Sequence, residues 1–553
     1  MNEKMNMQRR RLMQIAGIGF AAAAAHPKLL FARGSRVGDR PSANFHPDVE
    51  IELKQEVVRI PIFNGPGTRV WKIYGKVLKG PDAAVKNIHG SYLGPTLHLQ
   101  KGQKVRIVLR NHLPAESILH WHGLHVPAEM DGNPMYAIES GESFYYEFEV
   151  MNRAGTYWYH AHTHSVTAKQ VYSGLAGLFI VSDAEEQALG LPRGEYDVPI
   201  VIQDRSFDAQ NQLQYSNHMM QRMRGFLGDQ ILINGQPDFV LPVASRAYRL
   251  RLLNGSNSRI YKLAWDDGTP ITVIGVDGGL LQKPEKYSYV MLAPAERREI
   301  WVDFSGRATG TELTLRSVPF SASMHGGMMG GGMMGGMRGG RMGGMMGGRM
   351  GGMMGGRRGG MMGGGMMAGS ALPLGGDYPV LKIRVARQTR DNDSLPNHLT
   401  TIKPLRSEDA ANTGNARRIT LSMRRMSALL NGRSYKMNDI KPDEMIPVNT
   451  LQLMEFDNGF HGGMHGMAMP HPMHLHGEQF QIVKREVNLR SHGQYESVAA
   501  GLVDSGWKDT VLVMPGEKVT LLKPFNDYKG LFMYHCHNLE HEDLGMMRDF
   551  LIR

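Results

Sequence analysis

The sequence predicts an all-β protein of three Greek-key β-sandwich domains, with a low-complexity insert rich in methionine and glycine. Short β-rich runs, for example residues 105–109, 248–253 and 519–522, alternate with turn residues, and long stretches of helical periodicity are scarce. At 553 residues, the chain is too long for a single core. Two parts of the chain also repeat the same histidine motifs in the same order, which indicates related domains.

The N-terminal segment has the pattern of an export signal. Arg9, Arg10 and Arg11 precede a short apolar run over residues 15–25 and small residues up to position 32. Adjacent arginines before an apolar run too short to cross a bilayer are typical of twin-arginine export. We therefore expect residues 1–32 to be the signal, the mature protein to be periplasmic or secreted, and no stable membrane insertion after export. An ordinary basic amphipathic leader or an uncleaved anchor is the alternative.

The internal repeat defines the expected domains. Residues 155–162 (GTYWYHAH) match residues 530–537 (GLFMYHCH), and HWHG at 120–123 matches HLHG at 474–477. The middle third has similar strand-like segments without these histidines, so it is interpreted as a spacer. The expected domains are residues 46–185, 186–387 and 417–553, with a linker over 388–416.

Residues 321–370 form the insert, within the second domain. They hold sixteen Met and five Arg in a glycine matrix, with one His and no Asp or Glu. The segments on both sides are predicted strands, so the insert is interpreted as an expanded hairpin loop. Thioethers are soft ligands that favour Cu(I), which suggests copper handling. A mobile lid over a nearby site is the alternative.

Charge and cysteine content narrow the functional classes. The net charge of +11 is spread along the chain, without a Lys/Arg stripe that carries interleaved aromatic residues. We therefore expect no nucleic-acid partner, and we expect a monomer. Cys536 is the only cysteine, so no intramolecular disulfide can form. It is either an inert core residue or a chemically active one.

Cys536 opens a C-x4-H-x4-M pattern that continues with His541 and Met546. Together with His471, these residues supply two imidazoles, one thiolate and a weak thioether. This is the ligand set of a blue-copper electron-transfer site. A structural zinc site is disfavoured because a single thiolate among many imidazoles does not fit the cysteine-rich zinc patterns.

Four HxH pairs supply eight more imidazoles. Alternate side chains of an extended strand share a face, so each pair points two imidazoles the same way. His535 and His537 therefore face one side and Cys536 the other, which gives electrons a short covalent path between two copper sites. Four pairs from two domains can surround a cluster of three ions. The eight residues are His120, His122, His160, His162, His474, His476, His535 and His537.

The repeat also explains why only one blue site is expected. Ala161 occupies in the first domain the position that Cys536 has in the third, and Ser117 occupies that of His471. The first domain therefore lacks both the thiolate and one imidazole, although it keeps its HxH pairs. One blue copper and one shared cluster follow.

These motifs resemble those of the three-domain multicopper oxidases, which include laccases, cuprous oxidases and ferroxidases. The resemblance covers essentially the whole mature chain. It implies three cupredoxin-like domains, four copper ions, and one-electron oxidation of a substrate coupled to the reduction of O₂ to water. It also implies that His120 and His474 hold the type 2 copper. The type 3 copper pair would be held by His122, His160, His162, His476, His535 and His537.

The same resemblance implies two proton carriers. Asp131, nine residues after His122, and Glu542, directly after His541, match acidic positions that similar enzymes use near the cluster. A positioned carboxylate can relay protons to bound oxygen. With Cys536 they are the predicted catalytic residues. Asp131 lies in the turn-like sequence DGNP, so a turn-capping role is the alternative.

The substrate prediction follows the closest resemblance, which is to bacterial cuprous oxidases of copper tolerance. Met423 and Met469 match positions of Cu(I)-binding methionines, whereas Ala428 and Met467 replace the nearby carboxylates. We therefore expect Cu(I) as substrate, held mostly by sulfur from Met423, Met467 and Met469 as an additional labile copper. A laccase-type oxidase of phenols and aromatic amines is the alternative. A non-catalytic copper-binding protein of the cell envelope is a third hypothesis.

Overall fold

The computed structural model describes residues 36–215, 218–321, 372–390, 393–424, 427–459 and 469–553. Six β-sheets dominate the regular secondary structure of this part of the chain, two in each third, which confirms the all-β class. The predicted signal over residues 1–32 and the insert beyond Ser321 lie outside the described residues. Within the described ranges, none of the helices has both the length and the apolar character needed to cross a membrane.

The first sandwich combines a four-stranded sheet and a five-stranded sheet around one hydrophobic core. Its strands are β1 Val49–Ile60, β2 Thr68–Lys79, β3 Val85–Lys86, β4 Thr96–Gln100, β5 Lys104–Asn111, β6 Leu119–His122, β7 Ser143–Glu149, β8 Gly155–Ala161 and β9 Ala176–Ser182. The sheet orders are β2-β1-β5-β7 and β3-β4-β9-β8-β6.

The middle sandwich has a second core between a seven-stranded and a five-stranded sheet. Its strands are β10 Asp197–Arg205, β11 Gln230–Ile233, β12 Gln236–Pro237, β13 Val240–Ala244, β14 Ala247–Asn254, β15 Tyr261–Trp265, β16 Ile271–Val276, β17 Gly279–Tyr287, β18 Val290–Leu292, β19 Arg297–Asp303, β20 Glu312–Ser317 and β21 Tyr378–Arg387. The orders are β12-β11-β10-β14-β19-β16-β17 and β13-β21-β20-β15-β18. Strands β20 and β21, on either side of the insert, pair antiparallel as the arms of a hairpin do.

The last sandwich has two five-stranded sheets around a third core. Its strands are β22 Arg417–Arg424, β23 Ser427–Leu430, β24 Met445–Ile446, β25 Thr450–Asp457, β26 His471–Leu475, β27 Gln481–Val487, β28 Thr510–Val513, β29 Glu517–Phe525, β30 Gly530–Cys536 and β31 Met547–Ile552. The orders are β23-β22-β25-β29-β27 and β24-β31-β30-β26-β28.

Each of the six sheets contains one parallel strand pair among otherwise antiparallel neighbours. The pairs are β1–β5, β4–β9, β10–β14, β13–β21, β22–β25 and β24–β31. Every such pair joins strands that are not consecutive in the chain, so the connections must cross over, as in Greek-key sandwiches. The residue limits of the three domains and of the linker stay predictions.

Helices in the described residues are short. The α-helices are α1 Thr167–Ser173, α2 Ala184–Ala188, α3 Met219–Arg224, α4 His492–Ala499 and α5 Leu539–Asp543. The 3₁₀ turns are Asp82–Ala84, Ala128–Met130, Pro134–Tyr136, Gly194–Tyr196, Ser407–Asp409 and Pro442–Glu444. Helix α5 positions a predicted ligand: the Asn538 side chain caps its start by accepting from the His541 N–H at 3.3 Å, which turns the chain back towards Cys536.

Candidate metal centre

The histidine pairs begin on strands that are equivalent in the first and last sandwiches, and His162, His476 and His537 directly follow the ends of their strands. On β6 and β8, His120 lies opposite His160. On β26 and β30, His474 lies opposite His535, and Met473 lies opposite Cys536. The repeated motifs are therefore a structural repeat with the same strand register, and each sandwich brings its imidazoles to the same place.

All eight paired histidines are at most 1% exposed, and their ring nitrogens form three groups. In the first group, the Nε2 atoms of His120 and His474 are 3.3 Å apart. In the second, His160 Nε2 lies 3.4 Å from His122 Nδ1 and 3.4 Å from His537 Nε2. Both groups join residues from the first and last sandwiches.

The third group is centred on His535. Its Nε2 lies 3.3 Å from His162 Nε2 and 3.1 Å from His476 Nε2. The eight histidines therefore divide into one pair and two triplets. The resemblance stated above implied a pair and six others, and the structure additionally divides those six between two positions.

The chemistry of the pair tests whether a metal ion fits. His120 Nδ1 donates to the Asp131 carbonyl at 2.6 Å, and His474 Nδ1 donates to the Asp509 carbonyl at 2.8 Å. Carbonyl oxygens only accept, so in neutral imidazoles the two Nε2 atoms carry lone pairs that face each other. A cation bound by both removes this repulsion. Nitrogens at about 2 Å from one ion lie about 2.8–4 Å apart, which includes the observed separation.

Burial keeps His162 and His537 in the form that binds metals. It lowers the pKa of His162 and of His537 to about 3. Both rings are therefore neutral at neutral pH, and neutral imidazole is the ligand form. The residues present thus fit copper ions in their donor type, protonation and spacing.

The two predicted proton carriers each contact cluster histidines. Asp131 Oδ2 accepts from His476 Nδ1 at 2.7 Å, and its Oδ1 lies 3.4 Å from His120 Nδ1. Glu542 Oε2 lies 3.1 Å from His535 Nδ1. Burial raises the pKa of Asp131. Asp131 is therefore hydrogen-bonded to a predicted ligand and Glu542 lies close to one, although their part in proton transfer stays a prediction.

Sequence reasoning missed Asp509 and Arg297. Asp509 Oδ1 lies 3.0 Å from His122 Nε2, and Arg297 holds this carboxylate with two contacts of 2.8 and 2.5 Å. Asp509 precedes β28, and its sequence spacing from the HxH motifs gives no signal. Arg297 lies in the run Glu296 to Glu299, whose four charged side chains are all buried. Consecutive charges on a strand can indicate buried ion pairs on both faces.

The predicted blue-copper ligands converge on Cys536. Its Sγ lies 3.5 Å from His471 Nδ1 and 3.7 Å from His541 Nδ1. Met546 is fully buried in the same core, and its carbonyl accepts from the Cys536 N–H at 3.0 Å. Burial raises the pKa of the Cys536 thiol, so a thiolate is favourable here only beside a cation.

The middle sandwich also contacts one of the predicted blue-copper ligands. His541 Nε2 donates to the Met223 carbonyl of the α3 helix at 3.1 Å, which leaves His541 Nδ1 facing Cys536. On the same helix Met219 and Met220 are 39% and 46% exposed. The description of the middle third as a spacer was therefore incomplete, since it orients one predicted ligand through Met223 and a second through Arg297.

The predicted substrate-copper methionines have different surroundings. Met423 is only 3% exposed and packs in the core of the last sandwich, opposite Ala428. Met469 is half-buried, and its carbonyl accepts from Asn458 Nδ2 at 2.8 Å. Met467 lies outside the described residues. A copper site built from these three methionines stays a prediction.

Comparisons with known proteins agree with this geometry. Family models described as multicopper oxidase match residues 70–186 and 410–553. A multicopper oxidase of Staphylococcus haemolyticus is 30% identical, over 83% of this chain and 82% of that protein. A laccase of Bacillus stratosphericus is 28% identical, over 85% of this chain and 90% of that protein. The crystal structure of the McoA multicopper oxidase from Aquifex aeolicus is similar, with a TM-score of 0.70 and 29% identity. The match covers 92% of this chain and 97% of that protein.

Proposed function

Since the chain belongs to the multicopper oxidase family and is thus an oxygen-using oxidoreductase, we propose that its substrate is Cu(I), which it oxidises to Cu(II) in copper tolerance. We further propose four resident copper ions, one at Cys536 and three in the histidine cluster. Copper, when bound, would supply one-electron transfer at the first site and the four-electron reduction of O₂ to water at the second.

One observation carries the choice of Cu(I). Helix α3 presents two adjacent exposed thioethers, Met219 and Met220, and the same helix holds His541 through the Met223 carbonyl. Thioether sulfur is a soft ligand that selects Cu(I) over hard cations. A soft metal ion that binds at this surface would be one short helix away from the imidazole next to Cys536. The methionine-rich sequence at residues 321–370 supports the same substrate.

The chain's own residues support electron and proton delivery. Cys536 is covalently linked to His535 and His537, and each of these joins a different histidine triplet. Electrons that arrive at the Cys536 sulfur therefore have a through-bond path to both triplets. Glu542 Oε2, next to His535 Nδ1, and Asp131 Oδ2, next to His476 Nδ1, are positioned to hold protons near the cluster.

A leucine double variant tests the substrate. Met219→Leu with Met220→Leu keeps the apolar volume of α3 and removes its sulfur. We expect KM for Cu(I) to rise at least several-fold, and KM for a phenol to stay within about twofold, measured as steady-state O₂ consumption. Met135→Leu is a matched control, because Met135 is 41% exposed but belongs to the first sandwich. An unchanged KM for Cu(I) would contradict the proposed role of this surface.

The alternative is a laccase-type oxidase of phenols or aromatic amines, and the similarity to a Bacillus laccase supports it. In that case, the methionines would form an adaptable apolar contact surface. Steady-state O₂ uptake with Cu(I) and with a phenol, each with and without added Cu(II), separates the two substrates. Deletion of residues 324–367 tests the insert: if Cu(I) oxidation survives while phenol oxidation is unchanged or falls, the insert does not handle copper.

The third hypothesis, a non-catalytic copper-binding envelope protein, predicts bound copper without O₂ uptake. None of the predicted ligands of the resident copper ions is missing from the sequence and all are buried, which argues against it. We also propose a monomer that is exported by the twin-arginine route, supported by the arginines before the apolar run at residues 15–25. Cell fractionation of an Arg9→Lys and Arg10→Lys variant tests this route, and unaltered export would contradict it.

A further inference from the structure

His122 differs from the other seven cluster histidines in the ring nitrogen that it presents. It turns Nδ1 towards His160, whereas each of the other seven has Nε2 facing a neighbouring ring. The two nitrogens of a neutral imidazole are not equivalent, because one carries a hydrogen and the other a lone pair. Whatever fixes the outer nitrogen of His122 therefore decides which atom it offers to a metal ion.

The outer nitrogen of His122 meets an acceptor that cannot donate. Nε2 lies 3.0 Å from Asp509 Oδ1 and 3.1 Å from Thr510 Oγ1. The Thr510 hydroxyl itself donates to Asp509 Oδ1 at 2.9 Å, so its oxygen is also left as an acceptor for Nε2. An ionised carboxylate only accepts hydrogen bonds. His122 Nε2 must therefore carry the hydrogen, and Nδ1 keeps the lone pair.

Arg297 fixes the orientation of the Asp509 carboxylate. Its Nη1 and Nη2 lie 2.8 and 2.5 Å from the two oxygens of Asp509, a bidentate contact that sets orientation as well as charge. Arg297 is itself held, because its Nε donates to the Thr156 carbonyl at 2.9 Å and its Nη2 to the Asp277 carbonyl at 2.8 Å. Arg297 and Asp509 are both 0% exposed, so water does not compete for the contact between them.

We infer that Arg297 is a positioning residue for the copper cluster: acting through Asp509, it makes His122 a ligand through Nδ1. The chain of contacts runs from the middle sandwich to Asp509 of the last sandwich and then to His122 of the first. Without Arg297, the Asp509 carboxylate would be free to rotate away from His122 Nε2, and the ring hydrogen would no longer be held on that nitrogen. The inference is independent of which substrate is oxidised.

Two substitutions test this role. Asp509→Asn keeps the shape but brings an amide that can donate to Nε2, and Arg297→Met removes the bidentate contact. We expect both to lower the copper affinity of the cluster about 10–100-fold, the usual effect of losing a partner that orients a ligand. Affinity is measured by competition with a chelator on the purified protein. The blue absorption from the Cys536 site should persist, while the fraction of copper detected by EPR changes.

Arg298→Met is the matched control. Arg298 is the next residue in the chain and is equally buried, but it forms its ion pair with Glu296, at 2.9 Å, and not with Asp509. The Arg298→Met variant should be less stable than the wild type without a change in the EPR-detected fraction of copper. Arg297→Lys keeps the charge and should give an intermediate loss of affinity in a folded protein, as checked by circular dichroism. Wild-type copper affinity in Asp509→Asn and Arg297→Lys, or an equal loss in Arg298→Met, would overturn the inference.

Discussion

The Nε2 atoms of His120 and His474 face each other across 3.3 Å, although 354 residues separate them in the chain. One belongs to the first sandwich and the other to the last. Each ring donates its Nδ1 hydrogen to a backbone carbonyl, so both inner nitrogens are lone-pair donors. The contact between the two sandwiches is therefore most favourable when a cation is shared between them.

Copper removal should lower stability. Ions that bind only the folded protein stabilise it by RT ln(1 + [L]/Kd), which is about 2.7 kcal/mol at one hundred times Kd. In this protein, the loss of copper also leaves lone pairs facing each other at a sandwich interface. We expect the melting temperature, measured by calorimetry, to fall by several degrees in the copper-free protein and to recover on copper addition. Equal melting temperatures would contradict metal binding at this interface.

Cys536→Ser should abolish the blue absorption and remove one copper per chain. The substitution replaces the thiolate but leaves all eight paired histidines in place, so the cluster should still load. Optical spectra and metal analysis measure the two effects. Ala161→Cys is the converse control: Ser117 stands where His471 stands in the last sandwich, so the new thiol should give no second blue band. A blue band from Ala161→Cys would show that the missing imidazole is not needed.

Glu299 should make stability depend on pH. Burial alone would raise its pKa, but the guanidinium groups of Arg249 and Arg251 outweigh this and lower the pKa to about 2. A lowered carboxyl pKa contributes stability above the unfolded value, near 4.3, and this stability is lost as the pH falls towards 2.

Glu299→Gln tests that dependence. We expect it to cost about 3–5 kcal/mol at neutral pH, because it removes the buried carboxylate that Arg249 and Arg251 share and leaves them only Glu186 and Asp197. The stability of the variant should also fall less steeply than that of the wild type between about pH 5 and pH 3. Urea unfolding of the copper-free proteins across these pH values measures both effects. Parallel stability curves for the two proteins would show that Glu299 does not titrate as expected.

Lys523 should reduce stability at neutral pH. Its Nζ is fully buried and has no hydrogen-bond partner among the residues that the structure describes. Burial lowers the pKa of Lys523 to about 8. The folded state therefore binds fewer protons than the unfolded state between about pH 8 and 10.4, so stability should rise with pH over that range.

Lys523→Met should raise the free energy of unfolding at pH 7 by roughly 2–4 kcal/mol, since a lowered lysine pKa reports an unfavourable buried charge. The gain should shrink as the pH approaches 10. Denaturant unfolding of copper-free protein at both pH values measures it. A variant that is less stable than the wild type at pH 7 would indicate that the ammonium has favourable water-mediated contacts.

The sequence patterns predicted the fold class and the meeting of the histidine pairs, because both depend on local rules. Strand periodicity makes alternate residues share a face, so the pair His535 and His537 could be assigned to one side of its strand and Cys536 to the other. The repeat Ala161/Cys536 predicted which sandwich would hold the blue site. These inferences need only the spacing of residues along one strand and the equivalence of two strands.

The groups that orient the histidines could not be predicted in this way. His122 and Asp509 are brought together by packing between two sandwiches, and Arg297 reaches them from a third. Met223 contacts His541 through its backbone carbonyl, a group that every residue type carries, so its side chain gives no signal. The division of six histidines into two triplets likewise depends on ring orientation, which sequence spacing does not encode.

The division of the cluster between the first and last sandwiches has a consequence for synthesis. Domains emerge from the ribosome in order, and the N-terminal one can fold first. His120, His122, His160 and His162 would then wait for partners that are made much later, because His474, His476, His535 and His537 lie more than three hundred residues further along the chain. A nascent chain that stops before His537 would therefore lack a complete cluster, and a fully loaded cluster would mark a chain in which the first and last sandwiches have both been made.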